Sequence, residues 1–140
     1  MVDSKTRYIW VETVMNKGGI AEVVKKRLQR EERSEGISVI SFQSDNGTEF
    51  VNSTLDSFLD SKGIQHRKTV PYVHGQNGLV ERRFRQLLET TRALLASSQM
   101  PLSFWPFAFH SAVYLYNINV SVALSNKSPF EMYYGKKPQI

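Results

Sequence analysis

Cysteine is absent from all 140 residues of the sequence. That single absence excludes disulfides, thiolate zinc sites and cysteine nucleophiles, and it fits an intracellular setting. No apolar run approaches the ~20 residues that a membrane-spanning helix requires. The opening Met1-Val2-Asp3-Ser4-Lys5 has no apolar core of a signal peptide, so no membrane partner is expected. Acidic residues are in deficit, 13 against 18 Lys and Arg, which leaves a formal charge of +5 and a pI near 9.6. A basic balance favours phosphate contact through counterion release and points to a polyanionic partner without selecting one. Hydrophobic residues at 41% and charged residues at 22% describe a globular chain of one-domain size, not a charge-rich tail.

Along the chain, Tyr8 to Val14 is rich in β-branched and aromatic residues and reads as a strand. After Lys17-Gly18-Gly19, the apolar residues Ile20, Val23, Val24 and Leu28 take helical spacing through Arg33, and Gly36 stops that helix. Ile37 to Phe42 reads as a short buried strand, followed by an Asp45-Asn46-Gly47 turn. Asn52-Ser53-Thr54 offers N-caps for a helix over Leu55 to Lys62, closed by Gly63, and Ile64 to Val70 reads as a polar strand. Pro71 to Gly78 has no periodicity and reads as a loop. Val80, Phe84, Leu87, Leu88, Leu94 and Leu95 then form one apolar stripe of a strong helix, and Pro101 opens another through about Asn117 that is dense in aromatics and expected to be largely buried. Residues 120–140, with Pro129, Gly135 and Pro138, read as an irregular tail after a core of residues 1–119. Strand, helix, strand, helix, strand and two helices is an α/β order, although three strands are few for that class.

Two acids stand out by position. Asp45 follows the end of the expected buried strand, where ligands of open α/β sheets collect. Glu81 falls in the first turn of the strongest helix. Each has a plain structural reading as well: Asp suits an Asp-Asn-Gly turn, and Glu complements a helix dipole. His66, His74 and His110 show no metal-ligand spacing, and Trp105 with its neighbouring phenylalanines reads as core or dimer contact.

The surrounding blocks carry more. Ser44 to Phe50 (SDNGTEF) and Pro71 to Arg82 (PYVHGQNGLVER) resemble the two signature blocks of retroviral and retrotransposon integrases, and thirty-five residues separate Asp45 from Glu81. Asp3 to Val11, Phe58-Leu59 through Gly63-Ile64, and Ser128 to Pro138 also resemble copia-type (Pseudoviridae) retrotransposon polyproteins. The resemblance covers essentially the whole chain, in order. It implies an RNase H-like integrase catalytic core, a mixed sheet flanked by helices, and a polynucleotidyl transferase of the DDE type. It further implies that Asp45 and Glu81 are catalytic and hold Mg²⁺ or Mn²⁺ in a two-metal site, hard cations that favour carboxylate oxygen. Gln76 and Asn77 in the loop, with Arg82, Arg85 and Arg92 on the helix, are the implied DNA contacts, Arg85 lying one turn beyond Glu81. The solvated-face reading of the arginines stands beside this one. Glu49 belongs to the first block, but no catalytic role is assigned to it.

The first acid of the family's triad sits on an earlier strand, upstream of the block that Asp3 to Val11 matches. By the same alignment Asp3 falls in a turn and is not that ligand. The expectation is therefore an N-terminally truncated core, missing its first strands, marginally folded, and inactive alone although its full-length form joins DNA. The expected partners are retroelement ends, target DNA and further copies of the chain, in the nucleus or a cytoplasmic retroelement particle. The alternative is a domesticated, non-catalytic nucleic-acid-binding or protein-interaction module.

Overall fold

The structure, a computed structural model, describes residues 1–14, 16–69 and 78–139. It divides into two units, one of residues 14–78 and one of residues 1–13 with 79–140. Among the described residues no helix is long and apolar enough to cross a membrane.

The unit of residues 14–78 is built on α1 (Ile20–Glu35), β1 (Ser41–Ser44), α2 (Ser53–Ser61) and β2 (Gln65–Lys68). A short 3₁₀ turn, Lys17–Gly19, leads into α1, and the Asn16 side chain caps that turn by accepting from the Gly19 N–H. Gly36 ends α1 in the left-handed conformation, φ 63°, which a residue without a Cβ adopts at no steric cost. Asn52 caps α2 through its side-chain oxygen, which accepts from the Leu55 N–H at 2.9 Å. Gly63, also left-handed, follows that helix. Strands β1 and β2 pair in parallel, from Ser41 opposite Gln65 to Ser44 opposite Lys68. Helical spacing in α1 brings Ala21, Val24 and Leu28 onto one stripe, which buries against Leu55, Leu59 and Ile64. Leu55 and Leu59 are fully buried.

The other unit is helical: α3 (Gly78–Ser98), α4 (Trp105–Ile118) and α5 (Pro129–Tyr134). Its core gathers Ile9, Leu87, Phe109, Ala112 and Val113. Around Tyr8 an aromatic group forms, with Tyr133 stacked at 4.9 Å and Trp10 edge-on at 5.0 Å.

Several expectations change. Tyr8 to Val14 forms no strand; the described pairing there is a single antiparallel bridge between Val2 and Ile9. A strand exists only through its ladder, and the Ile9 peptide groups are satisfied by a side chain of α4 instead. The strand expected at Ile37 to Phe42 lies later, at Ser41–Ser44, and Ile40 is 80% exposed. An apolar run becomes a buried strand when both faces of its sheet are covered. In the stripe of α3, Leu87 and Leu95 are buried, whereas Val80 and Phe84 are about half exposed. Helical spacing orients a stripe but does not supply packing partners for its whole length. The aromatic helix is preceded by a 3₁₀ turn, Leu102–Phe104, and it is not largely buried: Phe109 is buried but Phe107 is 70% exposed. Residues 120–140 are not irregular throughout, because a 3₁₀ turn at Val122–Leu124 and α5 form there. The signal for α5 was local. Ser128 accepts from the Glu131 N–H at 3.1 Å, Pro129 takes the first helical turn, and Gly135 closes the helix at φ 68°.

Candidate functional site

Asp45 directly follows the last residue of β1 and is exposed. The turn it opens is tied down on both sides. Ser44 C=O accepts from the Thr69 N–H at 3.0 Å, and the Asn46 side chain donates to Thr69 C=O at 2.7 Å. Asp45 Oδ1 accepts from the Gly47 N–H at 3.1 Å, an Asx turn that fixes one carboxylate oxygen and leaves the other available. Two acidic side chains crowd the open face of Gly47, and a larger residue there would displace the end of Glu49. A Cβ at Gly47 would lie 2.7 Å from Glu49 Oε2 and 3.1 Å from Asp45 Oδ1. The carboxylates of Asp45 and Glu49 therefore both close over the same glycine, an approach that the sequence did not reveal.

A hydrogen-bond chain missed by the sequence reading runs behind this turn. The Ser44 hydroxyl donates to Asp45 C=O at 2.9 Å and lies 2.9 Å from His66 Nε2. His66 Nδ1 lies 2.7 Å from Asp56 Oδ1, and Lys68 Nζ approaches Asp56 Oδ2 at 3.3 Å. The hydrogen bond from His66, aided by Lys68, holds the Asp56 carboxyl below its ordinary range against a smaller opposing effect of burial. The signal for this chain is the strand register, which sets His66 opposite Phe42, one pleat before Ser44. Spacing of histidines along the sequence carries no trace of it.

Glu81 lies in the first turn of α3 and is exposed, as are Arg82, Arg85 and Arg92. Positions 82, 85 and 92 share one side of the helix by their three- and seven-residue spacing. Arg83 behaves differently. It is partly buried, donates to Gln86 Oε1 at 3.1 Å, and sets its guanidinium 5.4 Å from the centre of the Tyr116 ring. Burial pushes the Tyr116 phenol up, against the pull of Arg83 and Arg7. Asp45 and Glu81 belong to different units, and Gln76 and Asn77 lie outside the described residues. Among the described residues no three His, Cys, Asp or Glu side chains are grouped to hold a metal ion. Asp45 and Glu81 each present an exposed carboxylate, and at Asp45 one oxygen is already oriented by a main-chain donor. Such hard oxygen donors fit a divalent cation of the Mg²⁺ class.

No family model matches the chain. The retrovirus-related Pol polyprotein from transposon TNT 1-94 of Nicotiana tabacum is 33% identical over 136 residues, 97% of this chain and 10% of that protein. The corresponding polyproteins from transposons RE1 and RE2 of Arabidopsis thaliana are 35% and 34% identical, each over 98% of this chain and 9% of their own length. The chain thus spans about a tenth of the length of the curated relatives it matches. Among solved structures, the simian T-cell lymphotropic virus intasome in complex with PP2A regulatory subunit B56 gamma contains a chain that superposes with a TM-score of 0.74 at 18% identity, over 99% of this chain and 49% of that one. The HTLV-2 integrase catalytic core domain in complex with magnesium (trimeric form) gives 0.69 at 21%, over 94% of this chain and 80% of that one. The catalytic core domain of BIV integrase gives 0.68 at 22%, over 94% and 81%.

Proposed function

We propose, for a chain homologous over nearly its whole length to the retrovirus-related Pol polyproteins of plant transposons and folded as retroviral integrase catalytic cores are, that it serves DNA integration. In this reading it works within a longer protein that joins retroelement ends to target DNA. Asp45 and Glu81 would each offer carboxylate oxygen to a divalent cation. The bound metal supplies Lewis acidity to the attacking water or 3′-hydroxyl and to the leaving oxygen. Arg82, Arg85 and Arg92 neutralise phosphate, and Gln76 and Asn77 add polar contacts to the DNA. Self-association accompanies this role, and the nucleus or a retroelement particle is its place of action.

The observation that carries the reading is Asp45 itself. It stands exposed past the end of β1, in a turn held by Thr69, with one carboxylate oxygen fixed by Gly47. The Gly47 bond is the ordinary one of an Asx turn. What favours more than a turn role is the second carboxylate oxygen, exposed past the end of β1, where ligands of α/β sheets collect. The test is a graft, in which the 140 residues replace the matching stretch of the tobacco Pol polyprotein. Joining of labelled DNA ends with Mg²⁺, lost in both Asp45→Asn and Glu81→Gln, is expected. A graft that binds DNA but joins no ends would favour a non-catalytic binding module.

A further inference from the structure

Ser44 is buried, and its hydroxyl has two neighbours at the same distance, Asp45 C=O and His66 Nε2, each at 2.9 Å. His66 is itself gripped from the far side, with Nδ1 2.7 Å from Asp56 Oδ1. Asp56 comes from α2, His66 from β2 and Ser44 from β1, so three elements converge through side chains on one main-chain carbonyl. Buried polar groups require partners, and each ring nitrogen of His66 has one, Asp56 at Nδ1 and Ser44 at Nε2. The second contact, to Ser44, carries the chain onward to the residue with the exposed carboxylate. A carboxylate ion accepts only, so the proton between His66 and Asp56 sits on Nδ1. The Ser44 hydroxyl has a single hydrogen, which goes to Asp45 C=O, so the link to His66 runs when Nε2 also carries a proton and donates to Ser44 Oγ.

We propose that His66, braced by Asp56, is a positioning residue for Asp45: it clamps the Ser44 hydroxyl, which holds the Asp45 carbonyl, and so sets the direction in which the carboxylate is presented. The inference rests on the reading of Asp45 as a metal-holding acid. The main chain at Asp45 is oriented by this relay, and the side chain is oriented relative to the main chain by the Gly47 N–H. Together they remove the freedoms that would let the carboxylate drift. Displacement of a reacting group by about 1 Å costs about a hundredfold in rate, which is why such a mounting matters.

The experiment is NMR on the isotopically labelled 140-residue chain and its variants. An asparagine amide reaches the place of the imidazole Nδ1, and a glutamine amide that of Nε2. His66→Asn therefore keeps the tie to Asp56 and loses Ser44, whereas His66→Gln does the reverse. Positioning through Ser44 predicts that His66→Asn and Ser44→Ala each shift the Asp45 carbonyl ¹³C signal. Each should also speed exchange of the Asn46 and Gly47 amides about tenfold, the factor that one lost hydrogen bond confers. The two changes combined should do no more than either alone, and His66→Gln should stay near the parent. Greater disturbance in His66→Gln than in His66→Asn, or simple additivity, overturns the proposal. If His66→Asn does not fold, the ¹⁵N signals of the His66 ring in the parent chain decide. Protons on both ring nitrogens, with Nε2–H hydrogen-bonded, sustain the relay, and an Nε2 without a proton ends it, because it would take the Ser44 hydrogen from the Asp45 carbonyl. Mn²⁺ added to the parent chain then probes the underlying reading on its own. Broadening centred on Asp45 supports the metal role. Its absence removes that role, and with it the functional meaning of the relay, even where the carbonyl shifts are as expected.

Discussion

The carboxamide of Asn117 takes up both polar groups of Ile9: Oδ1 accepts from the Ile9 N–H at 2.9 Å and Nδ2 donates to the Ile9 C=O at 2.8 Å. Both residues are buried, and 108 positions separate them. The side chain does for Ile9 what a neighbouring strand does elsewhere, and it pins the N-terminal segment onto α4. Asn117→Ala would leave a buried donor and a buried acceptor without partners, a loss of about 2–4 kcal/mol. The shift of the urea midpoint measures it, and a change within about 0.5 kcal/mol, the scale of ordinary surface substitutions, would contradict it.

At the candidate site, Asp45→Asn and Glu81→Gln are expected to cut DNA joining by the integrase graft about a hundredfold or more, since each removes a charged oxygen ligand. Both side chains are exposed, so the thermal midpoint should barely move. Activity retained in either variant removes that acid from the proposed mechanism.

The arginines of α3 divide into two kinds. Arg85→Ala should weaken DNA binding and lower the slope of log affinity against log salt by about one unit, as for one lost phosphate contact. Arg83→Ala should instead act on stability, because Arg83 is partly buried against Tyr116. Salt titrations and melts of the two variants, side by side, separate the roles. Equal salt slopes for Arg85→Ala and the parent would leave Arg85 as a solvated surface charge.

Acid should weaken the Asp56–His66 link in a definite window. The folded carboxyl of Asp56 titrates below its ordinary value of 3.8, chiefly because of its hydrogen bond with His66. Its contribution to stability is therefore fully present above that value and is lost as pH falls through the lower folded value. In Asp56→Asn the acid limb of the stability curve should be shallower than in the parent. Parallel limbs would show that the link contributes nothing to the folded state.

Ser128 is buried, and its hydroxyl caps α5 by accepting from the Glu131 N–H at 3.1 Å. Ser128→Ala should cost about 1 kcal/mol. Faster amide exchange confined to the turn around Glu131 would locate the loss there, and uniform exchange across the unit would argue against a capping role.

Local chemistry was legible throughout. Helix α1 and its Gly36 stop, the Asn52 cap, the Asp45-Asn46-Gly47 turn and the course of α3 follow from the nature and spacing of residues within a few positions. Even α5, passed over among residues of turn-like character, had its cap and its proline in plain order. The exposed placement of Asp45, Glu81, Arg82, Arg85 and Arg92 is likewise what charged residues on turns and a helix face predict.

The sequence alone therefore determined the helices, their stops, the turn that carries Asp45 and the integrase resemblance, because each depends on side-chain types acting on nearby backbone or on blocks in a fixed order. Only the tertiary structure decided that Ile9 is held by Asn117 and not by a strand, that Phe84 is exposed while Leu87 is buried, and that Ser44, His66 and Asp56 form one chain behind Asp45. The physical reason is the same in each case. A buried polar group or an apolar face takes whatever partner the folded chain brings within reach. That partner can lie 108 residues away as readily as three.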